Sequence, residues 1–166
     1  MPAKSVIACC HLLLEKELTI AFVESATTGR LIYEFTSVPD CGKIVRGSIV
    51  CYDPSVKEEL MGVPKEIIEQ YTPESPEVTQ CLALGLKQLM PAHVLVAVTG
   101  LVSEGGSETP EKPVGTIFVH GFIKDRQWKT TLLFAGSPDE IIAQTIETIA
   151  SILLDEISKA EPVTNA

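Results

Sequence analysis

The stretch that decides the fold is Thr19-Ile20-Ala21-Phe22-Val23-Glu24-Ser25-Ala26-Thr27-Thr28-Gly29-Arg30. Its apolar part predicts a strand from Thr19 to Ser25, and the residues that follow predict a helix from Thr28 to Ser37. Open α/β sheets bind ligands beyond the carboxyl ends of their strands, where the first amides of the next helix lack a partner in that helix. Ser25 is therefore the first candidate functional residue.

Further helices are predicted from apolar spacing and from start signals. Apolar residues three and four apart predict an opening helix from Ala3 to Lys16. Three other helices begin where an N-cap side chain precedes a proline, and Glu140 is placed for a capping box in the last of them. These starts are Asp53-Pro54, Ser75-Pro76 (a helix to about Met90) and Ser137-Pro138.

Further strands are predicted from short runs of apolar and β-branched residues. A continuous apolar run, as in His93 to Val98, is typical of a central strand buried on both faces. The others are Ser48 to Tyr52 and an antiparallel hairpin of Gly115 to Ile123 with Gln127 to Phe134. The pattern predicts one domain over residues 1–166, with its core at about 3–158, a frayed tail at 160–166 and a mixed, mostly parallel sheet in a three-layer α/β/α sandwich.

The charge balance of the chain restricts its partners. The 166 residues include 13 Lys and Arg against 22 Asp and Glu, which gives a net charge of −9. A negative surface repels phosphate backbones and anionic headgroups, so neither nucleic acid nor a membrane is expected as a main partner. Mean hydropathy is positive at +0.24 with 21% charged residues. A homo-oligomer that covers apolar surface is expected.

The cysteines and histidines give no sign of a metal or disulfide framework. Five cysteines form an odd set without a Cys-x-x-Cys pair. His11, His93 and His120 are far apart in the predicted elements, so we expect no metal site. We expect no cofactor either, because Gly105-Gly106 matches neither the P-loop nor the dinucleotide fingerprint. Without an export signal or a run of roughly 20 apolar residues, a cytoplasmic location is expected.

Three strand ends are expected along one edge of the sheet: Glu24-Ser25, Tyr52-Asp53 and Thr99-Gly100. Lys57 follows the Asp53 cap by one helical turn, so its amine can reach back over that edge. A lysine in a dry site can lose enough basicity to deprotonate a serine, with a tyrosine hydroxyl as relay or positioning group. The predicted site is therefore Ser25, Tyr52 and Lys57, attacking an amide carbonyl.

Two other segments would complete this site. The amides of Thr27, Thr28 and Gly29 at the predicted helix start are candidate donors to an oxyanion. The loop from Leu101 to Pro113 contains Gly105 and Gly106 and is long and polar, as expected of a segment that covers a ligand.

Each candidate also has a structural interpretation. Ser25 can be a helix cap or a turn hydroxyl, and Tyr52 an amphipathic residue at the edge of the core. Lys57 can be a solvated lysine that pairs with a neighbouring glutamate. The Gly105-Gly106 loop can be a simple turn.

The residues from about Thr19 to Ile157 resemble the C-terminal domain family of the competence and damage-inducible protein CinA. The most specific stretch is Thr109-Pro110-Glu111-Lys112-Pro113-Val114-Gly115-Thr116. Supporting stretches are Glu24-Ser25-Ala26-Thr27-Thr28-Gly29, Arg46-Gly47-Ser48-Ile49-Val50-Cys51-Tyr52 with Lys57, Gly62-Val63 and Thr99-Gly100.

The resemblance implies metal-independent hydrolysis of the carboxamide of nicotinamide mononucleotide, which releases ammonia in NAD recycling. On the matching positions Ser25 is the nucleophile, and Tyr52 and Lys57 are its activating partners. The implied substrate-binding positions are Thr27, Thr28, Gly29, Gly47, Thr99, Gly100, Gly105, Gly106 and Lys112.

The chain departs from the family pattern around the implied substrate. Glu-Ser-Ala-Thr-Thr-Gly replaces the usual Glu-Ser-Cys-Thr-Gly-Gly, and Leu101-Val102-Ser103-Glu104 replaces Ile-Ala-Gly-Pro. Tyr52-Asp53-Pro54 replaces Tyr-Ser-Asn, and Gly136-Ser137-Pro138 replaces Gly-Asp-Arg. Three interpretations follow: a deamidase of the nicotinamide mononucleotide type, an amidase for a non-phosphorylated amide, or a non-catalytic oligomeric module that binds nucleotides or other partners.

Overall fold

The computed structural model describes residues 1–159, so the predicted frayed tail lies outside the described residues. A short 3-10 helix, Cys41–Lys43, precedes the second strand. The other elements are α1 (Lys4–Glu15), β1 (Ile20–Glu24), α2 (Arg30–Thr36), β2 (Val45–Val50), α3 (Pro54–Glu59), α4 (Lys65–Tyr71), α5 (Pro76–Leu89), β3 (Val94–Gly100), β4 (Thr116–Ile123), β5 (Arg126–Leu133) and α6 (Pro138–Lys159).

The strands form one mixed sheet in the order β2-β1-β3-β4-β5. β1 pairs in parallel with β2 and β3, whereas β4 runs antiparallel to both β3 and β5. Glu24 at the end of β1 lies opposite Val50 of β2 and Val98 of β3. The carboxyl ends of three parallel strands therefore meet at one edge, and the predicted fold class and hairpin are confirmed.

Helices cover both faces of the sheet, and alternate residues of β1 mark the two cores. Ile20 and Phe22 pack in the core that α1, α2 and α6 share. Ala21 and Val23 pack in the other core, where α5 and the α3–α4 segment lie. Because every residue of β1 is buried, the strand is central and its last residues lie inside the molecule.

The helix starts follow the predicted capping chemistry. The Asp53 carboxylate accepts a hydrogen bond from the Ser55 amide at 2.8 Å. The Ser75 hydroxyl likewise accepts from the amide three residues on. In α6 the Ser137 amide donates to Glu140 Oε2 at 2.7 Å, and the Glu140 amide donates to Ser137 Oγ at 3.3 Å. The predicted capping box is therefore confirmed.

Two elements differ from the sequence prediction. β2 spans Val45–Val50, earlier than the predicted residues 48–52, because Val45 already pairs with Ile20 across the sheet. Tyr52 therefore lies beyond the strand. Helix α4 was not predicted, since it has no buried residue and no side-chain cap to announce it.

No helix within residues 1–159 is both long and apolar enough to cross a lipid bilayer.

Candidate functional site

Ser25 lies immediately after β1, where the three parallel strands end. Its amide donates to Val98 O at 3.0 Å, and the Cys51 amide donates to Glu24 O at 2.8 Å. These bonds extend the strand pairing on both sides of β1 by one step. The serine is thus fixed between the ends of β2 and β3, as the strand-end argument predicts.

Lys57 reaches Ser25 from the neighbouring helix α3. Its Nζ lies 2.8 Å from Ser25 Oγ and 2.9 Å from Cys51 O. The lysine side chain is 0% exposed and Ser25 is 5% exposed. Lys57 is therefore not the solvated lysine of the structural interpretation, and the hydroxyl and amine that the sequence predicts to converge are in contact.

Burial changes the acid–base behaviour of Lys57. Removal from water lowers the pKa of its ammonium, and the charges of Glu74, Cys51 and Asp53 oppose that change in part. A lowered pKa increases the fraction of neutral amine near neutral pH. A neutral amine in contact with a serine hydroxyl can accept its proton, which is the requirement for a general base.

Tyr52 lies near this pair but is not joined to it by a hydrogen bond within residues 1–159. Its side chain is 71% exposed, and it lines the same cavity as Ser25. The Tyr52 side chain therefore forms part of the cavity wall. The relay role of the Tyr52 hydroxyl stays a prediction.

The cavity above Ser25 has a volume of about 250 Å³. Its lining includes Ser25, Ala26, Tyr52 and Glu74. Residues 100–106, which lead into the loop predicted to cover a ligand, also line it. Gly100, Gly105 and Gly106 therefore lie at the cavity, as the sequence analysis expected.

Glu24 holds the turn that presents Ser25. Its fully buried carboxylate accepts five hydrogen bonds, at 2.7–3.1 Å. Three donors are amides at the start of α2, and two are hydroxyls. The donors are Gly29 N, Leu31 N, Ile32 N, Thr27 Oγ1 and Ser48 Oγ. The carboxylate therefore ties β1, β2 and α2 together directly behind the serine.

This network changes the expectation for the oxyanion donors. The Gly29 amide and the Thr27 hydroxyl bind Glu24, and the Thr28 amide donates to Ser25 O at 3.2 Å. The Thr28 and Gly29 amides are thus occupied by the protein itself. The amides of Ala26 and Thr27 have no acceptor within the described residues, and of these two residues Ala26 lines the cavity, which makes its amide the better placed donor.

Three other predicted binding residues do not line the cavity. Gly47 lies inside β2 beside the Met90 side chain. Thr99 is fully buried and its hydroxyl pairs with that of Thr79 at 2.8 Å. The Lys112 amine donates to Thr72 Oγ1, Ser107 Oγ and Glu74 O. The substrate-binding roles of Gly47, Thr99 and Lys112 stay predictions.

Sequence reasoning missed two carboxylates at the site. The position of Glu24 at the end of an apolar strand gives no sign that its side chain turns toward the start of the next helix. Glu74 lies in the loop between the unpredicted α4 and α5, and it lines the cavity.

The described residues offer no group of three or more His, Cys, Asp or Glu side chains that could hold a metal ion. A second cavity of about 280 Å³ lies on the β4–β5 side, lined by Phe118, His120 and Lys129 among others. Ser25 does not line it, whereas Ser25, in contact with Lys57, lines the 250 Å³ cavity. The 250 Å³ cavity is therefore the candidate active site.

Residues 3–157 match the family model described as the CinA C-terminal domain. A CinA-like protein of Dictyoglomus thermophilum is 36% identical over 131 residues, which cover 78% of this chain and 31% of that protein. A CinA-like protein of Akkermansia muciniphila is 30% identical over 155 residues, which cover 93% of this chain and 37% of that protein. The chain thus spans about a third of the length of the curated relatives it matches.

Solved structures of related proteins share the fold. A competence-damaged protein (CinA) superfamily protein from Escherichia coli has a TM-score of 0.85 and 24% identity, over 92% of this chain and 88% of that one. A superfamily member from Klebsiella pneumoniae has a TM-score of 0.87 and 18% identity, over 93% and 96%. With the family-model match, these findings show that the chain belongs to the CinA C-terminal domain family.

Proposed function

We propose that this chain is a serine amidohydrolase that releases ammonia from a small carboxamide. The observation that carries the proposal is the 2.8 Å contact between Ser25 Oγ and the fully buried Lys57 Nζ. The family resemblance supplies nicotinamide mononucleotide as the first substrate to test. The side chains at the site supply a nucleophile and a base without a metal ligand set.

The proposed reaction has two halves. Neutral Lys57 accepts the Ser25 proton while Oγ attacks the carboxamide carbon, and the Ala26 amide stabilises the oxyanion. The Lys57 ammonium returns the proton to the leaving nitrogen, so that ammonia departs and an acyl ester remains on Ser25. Water then attacks the ester carbon and gives a proton to Lys57. The bond from the acyl carbon to Oγ breaks, the Lys57 ammonium returns the proton to Oγ, and the carboxylic acid leaves with the serine restored.

Ammonia release from nicotinamide mononucleotide, nicotinamide riboside and nicotinamide tests this proposal. Ser25→Ala and Lys57→Met should each reduce kcat by at least about 10³-fold, because each removes one half of the reacting pair. A variant outside the cavity, Glu15→Gln at the exposed end of α1, is the control. Full activity of Ser25→Ala would show that Ser25 is not the nucleophile.

A second candidate function is that of a non-catalytic module that binds nucleotides. The exposed Tyr52 side chain favours it, because the third member of the predicted catalytic group does not contact the other two. If no carboxamide is hydrolysed while nicotinamide mononucleotide still raises the Tm, the binding function gains support.

A further inference from the structure

The cavity at Ser25 carries negative charge on its walls. Glu74 and Glu104 are the ionisable carboxylates among its lining residues, and no Lys, Arg or His lines it within the described residues. A phosphate monoester carries up to two negative charges near neutral pH. It would enter a cavity with two carboxylates and no cationic side chain on its walls.

The nearest lysines are already engaged. Lys57 is buried against Ser25 and Cys51. Lys112 donates to Thr72 Oγ1 at 2.7 Å, to Ser107 Oγ at 2.7 Å and to Glu74 O at 2.9 Å. An ammonium has three N–H donors, so all those of Lys112 are used by the protein. A phosphate could accept a hydrogen bond from Lys112 only by displacing at least one of these three bonds.

The charge of Glu74 is fixed in place. The Ser107 hydroxyl donates to its Oε2 at 2.5 Å, and Glu74 is half-buried at the cavity wall. Its field reaches the reacting amine, since it raises the pKa of Lys57 against the effect of burial. Glu104 is exposed on the loop and also lines the cavity. A positive ligand in the cavity would therefore meet favourable charge from both carboxylates.

The start of α2 offers no alternative phosphate site. Helix starts commonly bind anions through unpaired amides. Here the Glu24 carboxylate already takes the amides of Gly29, Leu31 and Ile32. The Glu24 carboxylate thus occupies the amides at the start of α2 to which a ligand phosphate would bind.

We propose that the substrate of this site is a small carboxamide that carries positive charge and no phosphate, selected by Glu74 and Glu104. A pyridinium carboxamide linked to a neutral sugar has this chemistry. The volume of about 250 Å³ suits a small ligand. This inference rests on the proposed hydrolysis for its substrate class, but charge selection can be measured by binding alone.

The test measures binding to the Ser25→Ala protein, which removes turnover. Nicotinamide riboside carries the pyridinium charge without phosphate, and nicotinamide mononucleotide adds only the phosphate. In titration calorimetry, the Kd of the riboside should be at least about tenfold lower than that of the mononucleotide. The reason is that the phosphate of the mononucleotide is repelled by two carboxylates across a solvated cavity. Tighter binding of the mononucleotide, or no binding of either ligand, would overturn the inference.

Charge-neutral variants locate the source of the preference. In the Ser25→Ala background, Glu74→Gln and Glu104→Gln should each reduce the ratio of the two Kd values by about threefold or more. Glu15→Gln makes the same charge change at the exposed end of α1 and should leave the ratio unchanged. An unchanged ratio in both cavity variants contradicts the assignment of these glutamates.

Ammonia release by the intact protein separates the two proposals. If the riboside binds more tightly but neither ligand releases ammonia, the charge selection stands and the hydrolase function fails. If ammonia is released with a higher kcat/KM from the mononucleotide, the hydrolase function stands and the charge selection fails.

Discussion

Replacing Glu24 by glutamine removes the charge that organises the turn before α2 while keeping the size of the side chain. In the wild-type chain Oε2 accepts from Thr27 Oγ1 and from the amides of Gly29 and Leu31, and Oε1 accepts from Ile32 N and Ser48 Oγ. Glutamine has one oxygen and one NH2 group. The NH2 group of the glutamine must therefore face protein N–H or O–H donors at one of the two carboxylate oxygen positions.

The cost can be worked from these contacts. With its oxygen at the Oε2 position, glutamine leaves the Ile32 amide facing an NH2 group, whereas the Ser48 hydroxyl can rotate to accept. One buried donor without an acceptor costs about 1–3 kcal/mol, and the remaining bonds lose their charge-assisted part. We expect the free energy of unfolding to fall by about 3 kcal/mol, which lowers Tm by about 6–12 °C in a domain of this size.

Urea denaturation and thermal melting measure this loss. The matched control is Glu34→Gln in α2, where the carboxylate makes, within residues 1–159, only an ion pair with Arg30 at 3.7 Å. A surface pair of this kind contributes about 0–1 kcal/mol, so the control should stay near the wild-type Tm. If Glu24→Gln melts within about 2 °C of Glu34→Gln, the carboxylate does not hold the turn as argued.

Four further outcomes follow from the structure. The pH–rate profile of hydrolysis should rise with a midpoint below the ordinary lysine pKa, and Glu74→Gln should move the midpoint lower, because the carboxylate raises the pKa of Lys57; an unmoved midpoint contradicts this. Since burial lowers the folded-state pKa of Lys57, the unfolded chain binds more protons between that pKa and about 10.4, so the free energy of unfolding should rise with pH across this window. Urea titrations at pH 7 and 9 should show a smaller rise in Lys57→Met, and equal rises would refute the linkage. Tyr52→Phe should keep kcat within about tenfold of wild type, because the amine contacts the serine directly; a loss near 10³-fold would establish the relay role instead. Gly115→Ala should lower the free energy of unfolding by more than about 2 kcal/mol, because Gly115 has φ +97° and a Cβ would lie 1.9 Å from a backbone oxygen. The control Gly42→Ala places its Cβ in open space and should change the free energy of unfolding by less than about 1 kcal/mol. Similar denaturation curves for the two variants would refute this.

Local signals explain why most of the fold could be predicted. The N-caps at Asp53, Ser75 and Ser137 act within a few residues of themselves, and the apolar run of β3 needs only burial to form a strand. α4 could not be predicted in this way, because its seven residues carry no buried stripe. β2 began earlier than predicted because pairing with β1, rather than composition, sets its start.

The contact between Ser25 and Lys57 was predictable for a similar reason. Parallel strand ends share an edge, and a lysine one turn into the next helix has the length to reach it. The binding residues were harder to place, because their side chains depend on long-range partners. The amine of Lys112 is held by the loop after α4, and the amide of Gly29 is taken by Glu24.

The short helix α3 has a consequence for how the contact between Ser25 and Lys57 is lost. Lys57 is its only buried residue, so six residues capped by one aspartate carry this amine. Segments with few buried contacts open at a much smaller free-energy cost than the whole domain. Gentle heating should therefore release the Lys57 amine into water reversibly, before the sheet begins to melt.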